Sequence, residues 1–297
     1  MKQPQFMGSP SRLDIEPPWN EPLSTDHKAQ QNKIISEDES WRSDMEIEGF
    51  DEFQEGKLRF FRSRIEGPGV MLMHELPGMT PSCIGLAKRL AWSEGFRVYL
   101  PLLYGEPGDD APWLNLARIC VSREFHAFAT GKSSPITVRL RQLGQRMVEE
   151  CQGDDIGVIG MCLTGGFVLS MLADKDVVAG VCCQPALPFA PWGSRARSLG
   201  VSQTDLDRVK ANAQAHVIGL RFSNDRLCPP QRFEALRALL QERFEDFTIP
   251  ATSRFQHSTL TQHYREAEHR TYYDEVVAFL HRRLGPASTS TVQEGSF

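Results

Sequence analysis

A chain of 297 residues, 40% hydrophobic and 24% charged, has an ordinary globular composition and can bury a core without metals or cross-links. Its 33 Lys and Arg against 38 Asp and Glu give a net charge of −5, which speaks against a nucleic-acid binder, because neutralising phosphates needs a basic excess. Nine acidic residues and only Arg42 fall between 37 and 55, a local −8 that leaves +3 for the remainder; the body is near neutral and compatible with a small anionic substrate.

Residues 1–45 are rich in Pro, Gln, Ser and acidic groups, a composition that seldom buries enough apolar surface to fold alone. They are expected to be mostly disordered, with Trp19 and Trp41 as the side chains able to anchor them. From Phe50 to Arg62 the pattern is an antiparallel hairpin turning at Glu55-Gly56. Val70–Met73 is a buried strand, and Pro81 opens a helix running through Leu90. Phe96–Leu100 is the next strand, ending at Pro101. A helix follows around Thr137–Cys151, then the strand Ile156–Ile159, a Gly-rich turn and a helix through Leu172. Val177–Val181 and His216–Phe222 are further strands. A helix over Pro230–Arg243 leads to a short strand at Phe247–Ile249. Tyr272–Leu284 closes the domain with Tyr273, Val276, Val277 and Leu280 on one helical face. Residues 286–297 read as a disordered tail. Strands alternating with helices predict an α/β domain over 46–285, with a mostly parallel sheet flanked by helices.

The segment Val158-Ile-Gly-Met-Cys-Leu-Thr-Gly-Gly-Phe carries the most chemistry. A residue on a sharp strand-to-helix turn faces a cleft at the carboxyl edge of the sheet, above N–H groups that can stabilise an oxyanion. Cys162 suits the role of nucleophile there, since thiolates are potent and a helix N-terminus favours them. The bland alternatives are a buried small hydrophobe or a phosphate-cradling loop; G-x-C-x-T-G-G matches neither dinucleotide nor P-loop glycine patterns. The partners tip the balance. Asp225 follows the strand ending at Phe222, and His257 comes 32 residues later, after the next strand. Nucleophile, acid and histidine thus occur in the chain order of an α/β-hydrolase triad.

With these residues in view, Phe50–Leu284 resembles the dienelactone hydrolase family of the α/β-hydrolase superfamily. The matching features are His74-Glu-Leu-Pro-Gly78, Pro101-Leu-Leu-Tyr-Gly, Gly160-Met-Cys-Leu with the double glycine, Asn224-Asp225 and Gln256-His-Ser258. The resemblance implies Cys162 as nucleophile, His257 as base, Asp225 as its orienting partner, and Glu75 as a carboxylate that contacts and helps activate the thiol. It implies an oxyanion hole from the backbone N–H groups of Leu76 and Leu163, and substrate binding by Arg123 and Tyr104. Two departures stand out. Thr164 occupies the position two after the nucleophile, where the family has glycine, and a β-branched residue is at odds with a tight turn. The family's arginine after the histidine is absent, which weakens the case for the lactone-acid substrate itself.

The implied reaction is hydrolysis of a small ester or lactone through an acyl-enzyme, with no metal or organic cofactor. His257, His263 and His269 are six apart, about 240° of helical rotation, so His263 and His269 read as surface residues. Cys182 and Cys183 point to opposite faces of a strand and read as core. Seven cysteines without a C-x-x-C pair fit neither a disulfide framework nor a zinc site. With no signal core and no apolar run of membrane length, the expected location is the cytoplasm, with no membrane partner; the oligomeric state is left open. Two rivals share the fold: a catalytically silent relative serving as a binding module, and a cysteine thioesterase or acyltransferase using the same site.

Overall fold

The parallel strands, the edge strand Phe244–Ile249 apart, are short runs of apolar residues buried on both faces, which is what helices on either side of a sheet require. A computed structural model describes residues 46–108, 135–151, 155–187 and 196–285, all within one compact unit. The segments read as disordered, 1–45 and 286–297, and Arg123 lie outside the described residues.

The described residues form one eight-stranded sheet in the order β1-β2-β4-β3-β5-β6-β7-β8. The strands are β1 (Phe50–Glu55), β2 (Leu58–Ser63), β3 (Gly69–Met73), β4 (Arg97–Pro101), β5 (Ile156–Met161), β6 (Val177–Cys183), β7 (His216–Phe222) and β8 (Phe244–Ile249). β1 and β2 form the antiparallel hairpin, and β2 pairs antiparallel with β4. From β4 to β8 every pairing is parallel. This is the α/β-hydrolase arrangement. At the hairpin turn Gly56 adopts φ +58°, a conformation glycine reaches without penalty.

The helices are α1 (Pro81–Trp92), α2 (Pro135–Glu150), α3 (Gly165–Met171), α4 (Gln203–Ala211), α5 (Pro230–Leu240) and α6 (Glu266–Leu284). Alternate strand residues divide the core in two, as the period of a strand demands. Met71, Met73, Val158 and Cys182 pack with Leu140, Met147, Phe167 and Phe233 of α2, α3 and α5 on one face. Val70, Leu72, Ile159, Cys183 and Leu220 pack with Leu86, Leu90, Val276 and Leu280 of α1 and α6 on the other. Cys182 and Cys183 do face opposite ways.

One helix, α4, is absent from the sequence reading, and the largest shifts of boundary are at α6 and β8. α4 has only Asp205 and Val209 buried, too few apolar positions for a visible period; its one signal is Ser202, whose side chain accepts from Asp205 N. α6 begins at Glu266 rather than Tyr272, because its polar first turns are stabilised by Glu266 and Glu268 near the N-terminus. β8 begins at Phe244, while α5 ends at Leu240 and gives way to a 3-10 turn over Gln241–Arg243.

α6 lies so close to β5 that a β-carbon at Gly157 would sit 3.1 Å from Leu280 Cδ2 and 3.0 Å from Leu284 Cδ1. Leu280 is fully buried, so Leu280→Ala is expected to lower unfolding free energy by about 2–5 kcal/mol. The half-exposed Val138 is the control, its Ala variant staying within about 0.5 kcal/mol. Urea denaturation followed by circular dichroism reads both; equal midpoints would contradict this packing.

Candidate active site

β5 ends at Met161 and the chain turns at once into a 3-10 turn, Cys162–Thr164, that runs on into α3. Cys162 sits at φ +54°, a left-handed conformation that a side-chain-bearing residue keeps only when its surroundings impose it. The surroundings here are specific. A β-carbon at Gly160 would fall on the Thr164 carbonyl oxygen and 2.7 Å from Val168 Cγ2, and one at Gly165 would lie 2.9 Å from Pro185 Cα. Glycine at both positions lets the turn close. The Cys162 carbonyl accepts from Ala186 N at 2.9 Å.

Thr164, which the sequence reading sets against a tight turn, is instead its clasp. Fully buried, its Oγ1 accepts from Met161 N at 2.9 Å and lies 2.9 Å from the Met161 carbonyl and 3.1 Å from that of Met73. The hydroxyl supplies what the backbone lacks where β5 stops, and it ties the end of β5 to the end of β3. A β-branched residue is tolerated because Thr164 itself is right-handed, at φ −77°; the strained position is Cys162.

Asp225 and His257 are drawn together across 32 residues: His257 Nδ1 donates to Asp225 Oδ2 at 2.7 Å. Both side chains are shielded, Asp225 nearly completely. The Asp225 loop is held by more than Pro229-Pro230. Its Oδ1 accepts from Leu227 N at 2.9 Å and Cys228 N at 3.1 Å. Buried Arg221 donates to the Cys228 carbonyl, and buried Arg232 to the carbonyls of Pro185 and Ser198. His257 Nε2 is buried and makes no hydrogen bond of ordinary geometry among the described residues. Burial opposes a charge on this ring, yet the neighbouring Cys162 and the Asp225 hydrogen bond outweigh it and hold its pKa well above the ordinary value. The thiol and the imidazole are therefore electrostatic partners.

Glu75 follows β3 at the same carboxyl edge and is fully enclosed. Its carboxylate accepts from the hydroxyls of Thr261 and Ser258 (2.9 Å for the latter) and from Gln184 Nε2 at 3.1 Å. Among the described residues its hydrogen bonds go to these three and none to the Cys162 thiol. Burial raises its pKa against the pull of those bonds and of His257. Gln184 was not singled out by sequence. Buried at φ +35° just after β6, it also accepts from Thr259 N and Thr259 Oγ1, at 3.1 and 2.6 Å. Its only sequence signal is a polar residue between a strand's end and Pro185.

His74 is fully buried and neutral, burial lowering its pKa to about 4. Tyr104 packs edge-on against it, ring centres 4.5 Å apart. Burial, together with the proximity of Cys162 and Glu75, pushes the Tyr104 phenol well up, so Tyr104 is near the site. The backbone N–H of Leu76 serves no backbone acceptor among the described residues, and Leu163 follows Cys162 in the 3-10 turn. His269 is buried rather than a surface residue, and His263 is half-buried. His263 Nδ1 accepts from the backbone of His257 and Ser258, and His269, buried, accepts from Arg265 N at the start of α6. Burial raises the thiol pKa of the other described cysteines, Cys83, Cys151, Cys182, Cys183 and Cys228.

Residues 60–282 match the sequence model of the dienelactone hydrolase family. A Saccharomyces cerevisiae protein named "Putative carboxymethylenebutenolidase" is 27% identical over 197 residues, 64% of this chain and 69% of that one. A crystal structure of a "Putative Dienelactone Hydrolase" from Klebsiella pneumoniae aligns with TM-score 0.57 and 17% identity, covering 78% of this chain and 97% of that one. That of dienelactone hydrolase from Anabaena variabilis gives 0.52 and 14%, over 80% and 99%. At such identities the structures share the fold. No helix among the described residues is long and apolar enough to cross a membrane.

Two outcomes test this geometry. Thr164→Val leaves the buried Met161 N–H without a partner and is expected to lose about 1–3 kcal/mol of stability, while Thr164→Ser keeps most of it; denaturant midpoints separate the two. His74 predicts a pH effect. Its folded pKa lies below the ordinary value, so the unfolded chain takes up the proton first as pH falls. Between pH 6.5 and about 4 it therefore removes about 3 kcal/mol, fully present above that window and lost below it. Subtracting the pH–stability curve of His74→Asn from that of wild type should isolate this slope; parallel curves would contradict it.

Proposed function

Because the chain belongs to the dienelactone hydrolase family and is by that membership a carboxylic ester hydrolase, we propose that it cleaves a small ester or lactone through Cys162, His257 and Asp225. The observation that carries this reading is the buried His257–Asp225 hydrogen bond of 2.7 Å beside a cysteine held at φ +54°. Nothing in a structural role calls for a strained cysteine facing an imidazole whose second nitrogen is buried without a conventional partner.

The Cys162 thiolate attacks the ester carbonyl carbon, and the carbonyl electrons move onto oxygen, which the N–H groups of Leu76 and Leu163 stabilise. Collapse of this intermediate expels the alkoxide, which takes its proton from the His257 imidazolium and leaves a thioester on Cys162. Neutral His257 then takes a proton from water as the water attacks the thioester, and collapse returns the acid and the thiolate–imidazolium pair. Asp225 holds the ring in the tautomer with the proton on Nδ1 and steadies its charge.

Glu75 has a different part here from the one the family resemblance implies. Joined to Thr261, Ser258 and Gln184, it ties the β3 loop to the segment carrying His257 rather than meeting the thiol. Tyr104 would line the acyl side of the cleft. The −5 net charge leaves the substrate's own charge to be decided by Arg123 and the cleft.

The test is a panel of activated esters, a lactone and a thioester assayed with wild type, Cys162→Ala, His257→Ala and Asp225→Asn. Cys162→Ala is expected to be inactive. Asp225→Asn should fold and lose turnover by up to about 10⁴-fold, the loss seen in a serine protease, and by less if the thiolate needs less help. Near-wild-type rates for both the Asp225 and His257 variants, with Cys162→Ala dead, would reduce the triad to a lone thiol. A thioester outpacing every ester would redirect the reading to a thioesterase.

A further inference from the structure

His74 is a fully enclosed ring whose two nitrogens are both engaged, and the reaction above gives it nothing to do. Its partners settle its protonation. Nε2 lies 3.0 Å from the Leu103 backbone nitrogen, which can only donate, so Nε2 is the acceptor. Nδ1 lies 3.3 Å from the Glu75 carbonyl oxygen, which can only accept, so Nδ1 carries the proton. With one tautomer fixed from both sides, His74 has no proton to lend and no vacancy to take one, which removes it as a general acid or base.

What it does hold is a peptide. The Glu75 carbonyl belongs to the same planar unit as Leu76 N–H, and in a trans peptide the two point in opposite directions. We propose that His74 is the positioning residue of the oxyanion hole: its Nδ1–H fixes the Glu75 carbonyl, and through the rigid peptide aims Leu76 N–H at the oxygen on which negative charge develops. This rests on the reading of Cys162 as nucleophile and Leu76 as an oxyanion donor.

Three observations carry it. Leu76 N–H is spared by other backbone acceptors among the described residues. Residue 75 is anchored at both ends, its carbonyl by His74 and its carboxylate by Thr261, Ser258 and Gln184, so the peptide cannot swing. The ring itself is braced by Leu103 N and by the edge-on contact with Tyr104. A donor on the carbonyl side also polarises the amide and strengthens its N–H as a hydrogen-bond donor. The gain falls mainly on the transition state, because the oxygen it serves becomes anionic only there.

Asparagine and glutamine divide the two functions of the ring. An Asn amide nitrogen falls near Nδ1 and keeps the Glu75 bond; a Gln side chain reaches the place of Nε2, keeps the Leu103 bond and loses the other. Removing an oxyanion donor outright costs about 10²–10³-fold in kcat, so losing only its aim in His74→Gln should cost about 10–100-fold in kcat, with KM within about twofold. His74→Asn should stay within about threefold of wild type. The inhibition constant of a trifluoromethyl ketone, whose thiolate adduct carries the oxyanion, should rise with the loss of kcat in His74→Gln, while that of the carboxylate product should not move. Equal losses in Asn and Gln, a loss confined to KM, or an unchanged trifluoromethyl ketone constant would each overturn the proposal. Should His74→Gln fail to fold, His74→Asn decides alone: retained kcat supports it and a large loss contradicts it. Cys162→Ala is assayed alongside; full activity there sinks the nucleophile reading and this one with it, whereas the other outcomes sink this one alone.

Discussion

The carboxyl edge of this sheet is organised around one uncomfortable backbone torsion. A left-handed cysteine is worth roughly 1–3 kcal/mol of strain, and the molecule holds it by leaving it no alternative. Gly160 and Gly165 remove the atoms that would force the turn open, Thr164 closes it from within, and Ala186 N holds the Cys162 carbonyl from the loop that follows β6. These contacts come from β3, β5 and the loop after β6 at once, so the torsion is a property of the assembled sheet rather than of the local peptide.

Around that point the loops are joined by polar groups rather than by apolar packing. Two carboxylates illustrate the difference environment makes. Asp225 has one oxygen saturated by loop amides and turns the other to His257. Glu75 is surrounded by hydroxyls and an amide and bridges two loops. Partly satisfied networks of this kind are worse than an apolar core, while complete ones hold a unique geometry. Gln184 is what completes this one: it bonds Glu75 through its nitrogen and Thr259 through its oxygen, so neither end of the amide is idle.

Much of this was legible in the sequence, and the reasons for the exceptions are physical. The inner parallel strands were readable because burial on both faces makes them continuous apolar runs, and Cys162, Asp225 and His257 because their order along the chain mirrors their strands. α4 was not, since a helix resting on Asp205 and Val209 alone has no hydrophobic period. Thr164 was read as a misfit because propensity describes a residue's own torsions, whereas its worth here lies in an oxygen placed between Met73 and Met161. His263 and His269 looked like solvent-facing residues because a histidine accepting from backbone amides carries no spacing signature. Gln184 and the engagement of Glu75 depend on contacts 75 to 186 residues apart, which only the folded chain can bring together.

The distribution of sulfur has a practical consequence. A thiol reacts with electrophiles and oxidants through its anion, and the interior suppresses that anion at Cys83, Cys151, Cys182, Cys183 and Cys228. Each unit by which a thiol is raised removes about tenfold of its ionised fraction. Among the described residues, Cys162 alone is the electrostatic partner of an imidazole. On the proposed reading of Cys162 as the nucleophile, a mild alkylating tag would discriminate among the described thiols by their electrostatic surroundings, and its occupancy would count competent sites in a preparation without knowledge of the natural substrate.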